Sequence, residues 1–204
     1  MPNGLSRRNF LQQEQRTRTR ALIVDAAQKT FADRGYVGSS IEHILVTAGV
    51  SRAAFYSHFD GKLAVVRAIA KDFEPAWHPV FAYLAELRNP GLPELTEWAT
   101  RHLEMHRANR DICTLLTQVA VLEEALYWEV SAQRDIIITM LAERHKAFEL
   151  ASHDDDVLLE AHILLWGLDQ ACFHVVRQHL HDPSKRAAEI IAGQMKAFLD
   201  KHGG

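Results

Sequence analysis

The histidines and cysteines are the side chains that could carry chemistry of their own. The chain holds 12 His and 2 Cys in 204 residues. His102 and His106 stand four apart, which on a helix puts both imidazoles on one face. Cys172, His174, His179 and His181 form a second group. A two-His pair holds a transition metal only where further ligands converge on it. There is no Cys pair at metal spacing and no His-Glu-x-x-His motif, so neither a metal nor a cofactor is expected. Cys113 and Cys172 are isolated in sequence, which gives no disulfide framework and fits a reducing cytoplasm.

Enzyme chemistry finds no motif. The chain lacks a Gly-rich phosphate loop and a Gly-x-Ser-x-Gly elbow. The acidic runs Glu123-Glu124 and Asp154-Asp155-Asp156 read as solvated surface. The expectation is a protein that is not an enzyme.

A third set has a coherent chemistry. Arg52 can donate two hydrogen bonds to a guanine edge, and Ala53 or Ala54 can touch a thymine methyl. Tyr56, His58 and Lys62 can reach phosphate. Ser39 and Ser40 bring hydroxyls and free N–H groups to a helix start, a natural phosphate cradle. Charge agrees with this reading. Residues 1–72 hold 11 Lys/Arg against 6 Asp/Glu, and residues 73–204 hold 12 against 20. A basic module on an acidic body is what results when one end meets nucleic acid.

The elements that must position this set are helices. Apolar residues recur at helical spacing, and no stretch alternates for long. A first helix is expected over 17–34, with Leu22, Ile23, Ala26, Ala27, Thr30 and Phe31 on one face and Gly35 ending it. Ser39 and Glu42 have the spacing of a capping box for a second helix. Gly49 supplies a tight turn, and Ser51 caps a third helix whose Phe55 and Phe59 point inward with Val50. A fourth helix starts near Gly61. Further helices are expected at 76–88, 93–108, 110–150 (broken at least once), 155–181 and 184–201, with Asn89-Pro90-Gly91 and Asp182-Pro183 as punctuation.

Residues 23–62 resemble the DNA-binding domain of the TetR/AcrR family of bacterial regulators. The matching residues are Ala26-Ala27, Phe31, Gly35-Tyr36, Ser39-Ser40, Ile44, Ala48-Gly49-Val50-Ser51, Phe55-Tyr56, His58-Phe59 and Lys62. Leu45 stands where the family generally has Ala, and Leu63 where an acidic residue commonly follows the Lys. The resemblance implies an all-α fold. It has an N-terminal three-helix helix-turn-helix domain and a larger C-terminal helical domain for effector binding and dimerisation. The expected division is a basic flexible arm at 1–16, a reader at 17–62 with its recognition helix at about 51–57, and a body at 63–204.

In the arm, Ser6 to Leu11 mimics a twin-arginine export signal. Gln12 to Arg16 follow in place of an apolar segment, so the reading is a basic arm and not a leader. Arg16, Arg18 and Arg20 are candidates for phosphate or the minor groove. No apolar run approaches membrane-spanning length.

In the body, Trp98, His102 and Met105 share a helix face, with Cys113 shortly beyond. That face is expected to look into an apolar effector pocket walled by Trp77, Phe81 and Trp128. The resemblance implies that two apolar helices near the C-terminus form a four-helix interface with a second copy; alternatively they close the chain's own core. The expectation as a whole is a cytoplasmic, homodimeric repressor released from a pseudo-palindromic duplex by a small hydrophobic effector. The alternatives are a DNA-binding regulator without such an effector and a metal-responsive sensor.

Overall fold

A computed structural model describes residues 4–182 and 184–203. Among these residues there are eleven α-helices and no strand. The chain divides into two compact units. One comprises residues up to Asp72 together with Leu115–Val119, and the other comprises Phe73–Thr114 and Ala120–Gly203.

The first unit is built on α1 (Gly4–Arg34), α2 (Ile41–Ala48), α3 (Arg52–Tyr56) and α4 (Lys62–Asp72). Helix α1 begins thirteen residues before the expected Thr17, so the described part of the arm is a helical extension of α1. The run from Gln12 to Arg20 is rich in good helix formers and has no Gly or Pro to stop it. Residues 1–3 of that arm lie outside the described residues, as does Pro183.

Ile23, Ala26, Ala27, Thr30 and Phe31 are buried as expected, while Leu22 is exposed and Val24 takes its place inside. Gly35 closes the helix at φ 67°, a left-handed conformation that costs Gly nothing. Helix α4 belongs to this unit, ten residues beyond the expected boundary at 62. Its Val65, Val66 and Ile69 are fully buried, and α4 packs on α1.

The second unit contains α5 (Glu74–Glu86), α6 (Leu92–Ala108), α8 (Glu124–Ala142), α9 (Lys146–Ala151), α10 (Asp155–Val176) and α11 (Ala187–Gly203). The remaining helix, α7 (Arg110–Leu122), is shared between the units by the division above. The expected helical run 110–150 is thus three helices, α7 to α9. Helix α10 stops at Val176, short of 181, because Gln178 adopts φ 61°. Helix α11 starts at Ala187, where the Asp182 carboxylate accepts the Arg186 and Ala187 N–H groups at 2.7 and 3.1 Å.

One apolar core runs through this unit, with Trp98, Leu141, Phe148, Leu168 and Met195 buried in it. The apolar face of α11 (Ala187, Ile191, Ala192, Met195 and Phe198) lies in that same core, and only Ile190 among its large apolar residues is exposed. Helix α10 is apolar on two sides. Leu165, Leu168 and Cys172 face the core, while Leu159, Ile163 and Trp166 form an exposed stripe. Among the described residues no helix is long and apolar enough to cross a membrane.

Candidate functional site

The turn between α2 and α3 decides what the first unit can present. Gly49 sits at φ 64° and its N–H returns to the Leu45 carbonyl, which ends α2 abruptly. Ser51 then caps α3, its Oγ accepting the Ala54 N–H at 3.1 Å. Phe55 is fully buried and Phe59 nearly so, their rings 5.9 Å apart, which pins one face of α3 inside. Arg52, Ala53, Tyr56 and Ser57 are left exposed, and Ala54 and His58 half-buried. Five of the expected DNA-facing residues (Arg52, Ala53, Ala54, Tyr56 and His58) therefore lie on or just after α3 with solvent access.

The serines are arranged differently from expectation. The capping box on α2 is formed by Ser40 and His43, not by Ser39 and Glu42. Ser40 Oγ accepts the His43 N–H, and the Ser40 N–H donates to His43 Nδ1, both at 3.2 Å. Ser39 is unavailable for the box because it is buried, with its hydroxyl within 2.6 Å of the Gly35 carbonyl and 3.2 Å of the Thr30 carbonyl. Its side chain ties off the end of α1 and does not face solvent.

Lys62 is also turned inward. Its Nζ donates to the carbonyls of Tyr36 at 2.8 Å and Ser39 at 2.6 Å, and it lies 4.5 Å from the Tyr36 ring centroid. The expected phosphate contact is thus engaged as a staple between the start of α4 and the loop before α2. Around it lies a shallow depression of about 530 Å³, lined in part by Tyr36, Ser40, Glu42, Arg52, Tyr56 and Lys62. Glu42 was not among the expected site residues. It is ion-paired with Arg52. Its carboxyl is held below the usual value first by a backbone hydrogen bond, which with Arg52 and Ser40 outweighs the opposing desolvation. His58 is held below its ordinary value by burial and then by the nearby charges of Arg16 and Arg20.

In the second unit, Trp77, Phe81, Trp98, His102 and Met105 are all buried in the core. Phe81 is central, 6.4 Å from Trp77, 6.2 Å from Trp98 and 5.3 Å from His102 between ring centroids. The indole N–H groups of Trp77 and Trp98 are buried with no hydrogen-bond partner. Cys113 is buried too, and burial, followed by the Asp169 charge, pushes its thiol up to about 12. Trp128 does not join them. It is 62% exposed on α8 and donates to Glu124 at 3.4 Å, so it is no pocket wall in this unit.

Sequence spacing missed one convergence. Helix α10 brings Cys172 beside the His102–His106 pair of α6, with one ligand-type atom of each within 4.8 Å of the others. Asp169, one turn before Cys172, is 3.1 Å from His106 Nε2 and 3.8 Å from His102 Nε2. The available signal was the i, i+3 spacing of Asp169 and Cys172 on one helix, matched to the i, i+4 spacing on another. Burial opposes ionisation of Asp169, but the two imidazoles outweigh it and hold its carboxyl below the carboxylate range. Burial lowers His102 and raises Cys172.

Residues 23–69 match the model for bacterial regulatory proteins of the TetR family. This segment is similar to the TetR family. Two curated relatives, both from Pseudomonas putida, share the segment. They are an uncharacterized HTH-type transcriptional regulator, TtgW, and the HTH-type transcriptional regulator SrpR. Each is 43% identical over 51 residues, which is 25% of this chain and 38% and 24% of theirs. The HTH-type transcriptional repressor AcnR of Corynebacterium diphtheriae is 30% identical over 92 residues, 43% of this chain and 48% of its own. The chain thus spans less than half the length of these relatives.

Solved structures extend the likeness in fold. Salmonella enterica GusR superposes at TM-score 0.66 and 21% identity, covering 89% of this chain and 95% of its own. A TetR-family regulator of Mesorhizobium loti gives 0.64 at 21% identity, covering 93% and 98%. The TetR-like architecture, a helix-turn-helix domain followed by a helical domain, therefore holds across the chain. The matched family is one of bacterial regulatory proteins, and the curated relatives are HTH-type transcriptional regulators.

Within the TetR-family segment the two departures have visible consequences. Leu45 is half-buried and its carbonyl receives the Gly49 N–H, so the larger side chain is accommodated without loss of the turn. Leu63 is half-buried at the edge of the depression beside Lys62. An acidic residue there would add a negative charge to a surface that already carries Glu42.

Proposed function

We propose that this chain is a cytoplasmic, homodimeric repressor of transcription whose first unit holds double-stranded DNA through α3. The observation that carries this reading is the exposed face of α3. It offers a guanidinium, small methyl-bearing residues and a phenol on one side of a helix anchored by Phe55. Arg52 reads a guanine edge, Ala53 and Ala54 meet thymine methyls, and Tyr56 and His58 take phosphate. Ser40, at the capped start of α2, is the candidate for a further phosphate contact. Lys62 holds the loop that presents Ser40.

The exposed Leu159, Ile163 and Trp166 stripe on α10 supports dimerisation, since a second copy would bury it. Two readers related by a two-fold axis would take a pseudo-palindromic site with half-sites about one helical turn apart or a multiple of it. The effector reading rests on the aromatic cluster around Phe81. Two buried indole donors there lack acceptors, which suits a mainly apolar molecule carrying acceptor atoms. An effector that binds better when the two α3 helices are wrongly spaced shifts the population away from the DNA-bound state. Helix α4, which leads out of the reader toward α5, is the proposed lever.

Operator binding is tested by protection of duplex DNA by the purified chain. The effector reading is tested by a thermal-shift screen with apolar ligands, because binding raises the midpoint by mass action. A ligand that raises the midpoint yet leaves operator affinity unchanged at saturation would sink the switch mechanism.

A further inference from the structure

We propose that the second unit carries a buried site for one zinc-class divalent transition-metal ion, held by His102 and His106 of α6 and Cys172 of α10, with Asp169 orienting His106. The three ligand residues are 1%, 3% and 0% exposed, and one donor atom from each falls within 4.8 Å of the others. Two nitrogens and one sulfur at that separation can share a single ion of tetrahedral preference. Hard oxygen-seeking ions such as magnesium and calcium do not fit this donor set.

The hydrogen bonding around the pair points the same way. His106 Nε2 lies 3.1 Å from Asp169 Oδ1. With the proton on Nε2 facing the carboxylate, Nδ1 is left as the lone-pair nitrogen. That Nδ1 is buried and has no partner. A carboxylate behind a metal-bound imidazole is the arrangement that fixes ring and tautomer. Both nitrogens of His102 are likewise buried without a hydrogen bond, Nε2 standing 3.8 Å from Asp169 Oδ1. Buried polar atoms are rarely left so, and one such nitrogen on each ring beside a thiol calls for an explanation. A metal ion satisfies two of them, one on each imidazole. On binding, the Cys172 thiol gives its proton to solvent and coordinates as thiolate, with no change of oxidation state. Three protein ligands leave one position for water or an anionic group.

The site stands independently of the DNA reading, and its test needs no operator. The full chain is stripped with chelator and checked by far-UV circular dichroism. It is then titrated with cobalt(II), read by visible and near-ultraviolet absorption, and with zinc(II), read by metal analysis after desalting. The expected result is one tightly held ion per chain. Cobalt should give tetrahedral bands together with a thiolate charge-transfer band. Cys172→Ser should abolish the charge-transfer band, and His106→Ala the tight binding. Asp169→Asn should weaken affinity about 10- to 100-fold, the usual cost of losing such an orienting partner. His153→Ala, at an exposed site, should change nothing. A wild-type chain that retains no ion beyond what folded Cys172→Ser retains would overturn the assignment. So would a charge-transfer band that survives Cys172→Ser.

Discussion

Arg52 and Glu42 are ion-paired across the turn between α2 and α3, and both side chains are more than half exposed. On the proposed reading, the cation placed to read a base is held by a carboxylate that a duplex would have to replace. Such exposed pairs are worth little in water, so the exchange of partner is cheap. Once Arg52 has left, Glu42 remains as an anion on a surface that must approach phosphate. Glu42→Gln is therefore expected to tighten binding to any duplex several-fold while leaving sequence preference intact, as measured by fluorescence anisotropy on specific and random DNA. Unchanged affinity on both would show that Glu42 lies away from the backbone.

Arg52→Ala should act on sequence instead. Loss of a two-pronged guanine contact costs about 1–3 kcal/mol at one base position. A panel of single-base operator variants should show discrimination collapsing at that position alone. An equal loss on specific and random duplexes would make Arg52 a phosphate contact.

Lys62 should behave as part of the fold. Two charge-assisted bonds to backbone carbonyls are lost in Lys62→Met, and bonds of this type contribute about 1.5–3 kcal/mol each. Urea unfolding should shift to lower midpoint. The salt dependence of DNA binding by the folded fraction should keep its slope, since no phosphate partner is removed. A flatter slope with unchanged stability would return Lys62 to the role that its sequence position alone implied.

Gly49 tests the turn. A Cβ there would meet no atom within 4 Å, so any penalty is conformational. Gly49→Ala should lose about 1–2 kcal/mol, the cost of a left-handed backbone for an ordinary residue. Gly49→Asn should lose less, because Asn tolerates that region. Equal losses would point to a packing cause.

His58 gives a pH dependence with a definite sign. Burial and then Arg16 and Arg20 hold it below its ordinary value in the free protein, so it is neutral near neutral pH. A phosphate within reach favours the cation, so binding takes up a proton and affinity rises as pH falls. Between about pH 8 and pH 6 operator binding should tighten, and His58→Gln should flatten the profile. An identical profile in the variant would place His58 off the phosphate path.

Much of the reader was legible because its signals are local. Gly35 and Gly49 sit at positive φ, Ser51 caps α3, and Phe55 and Phe59 are inside, each as its residue type dictates. What the sequence leaves open there is the direction of the polar side chains. Ser39 and Lys62 are polar, and a sequence does not tell whether a polar group meets solvent or a backbone carbonyl buried with it. The capping box slipped by one residue for the same reason, since Ser39 had an interior partner. In the body the signals are long-range. Trp128 and Trp98 look alike in sequence, yet one is 62% exposed and the other fully buried, a difference set by which helix faces which. Cys172 and His106 are distant in the chain and meet only through the packing of α10 on α6.

Selection of duplexes from a random library by the purified chain, with Arg52→Ala run beside it, tests the central claim most directly. The account predicts enrichment of a motif with two inverted half-sites about one helical turn apart or a multiple of it, with one position per half-site losing its preference in Arg52→Ala. No enriched motif, or the same motif at undiminished strength in Arg52→Ala, would contradict it.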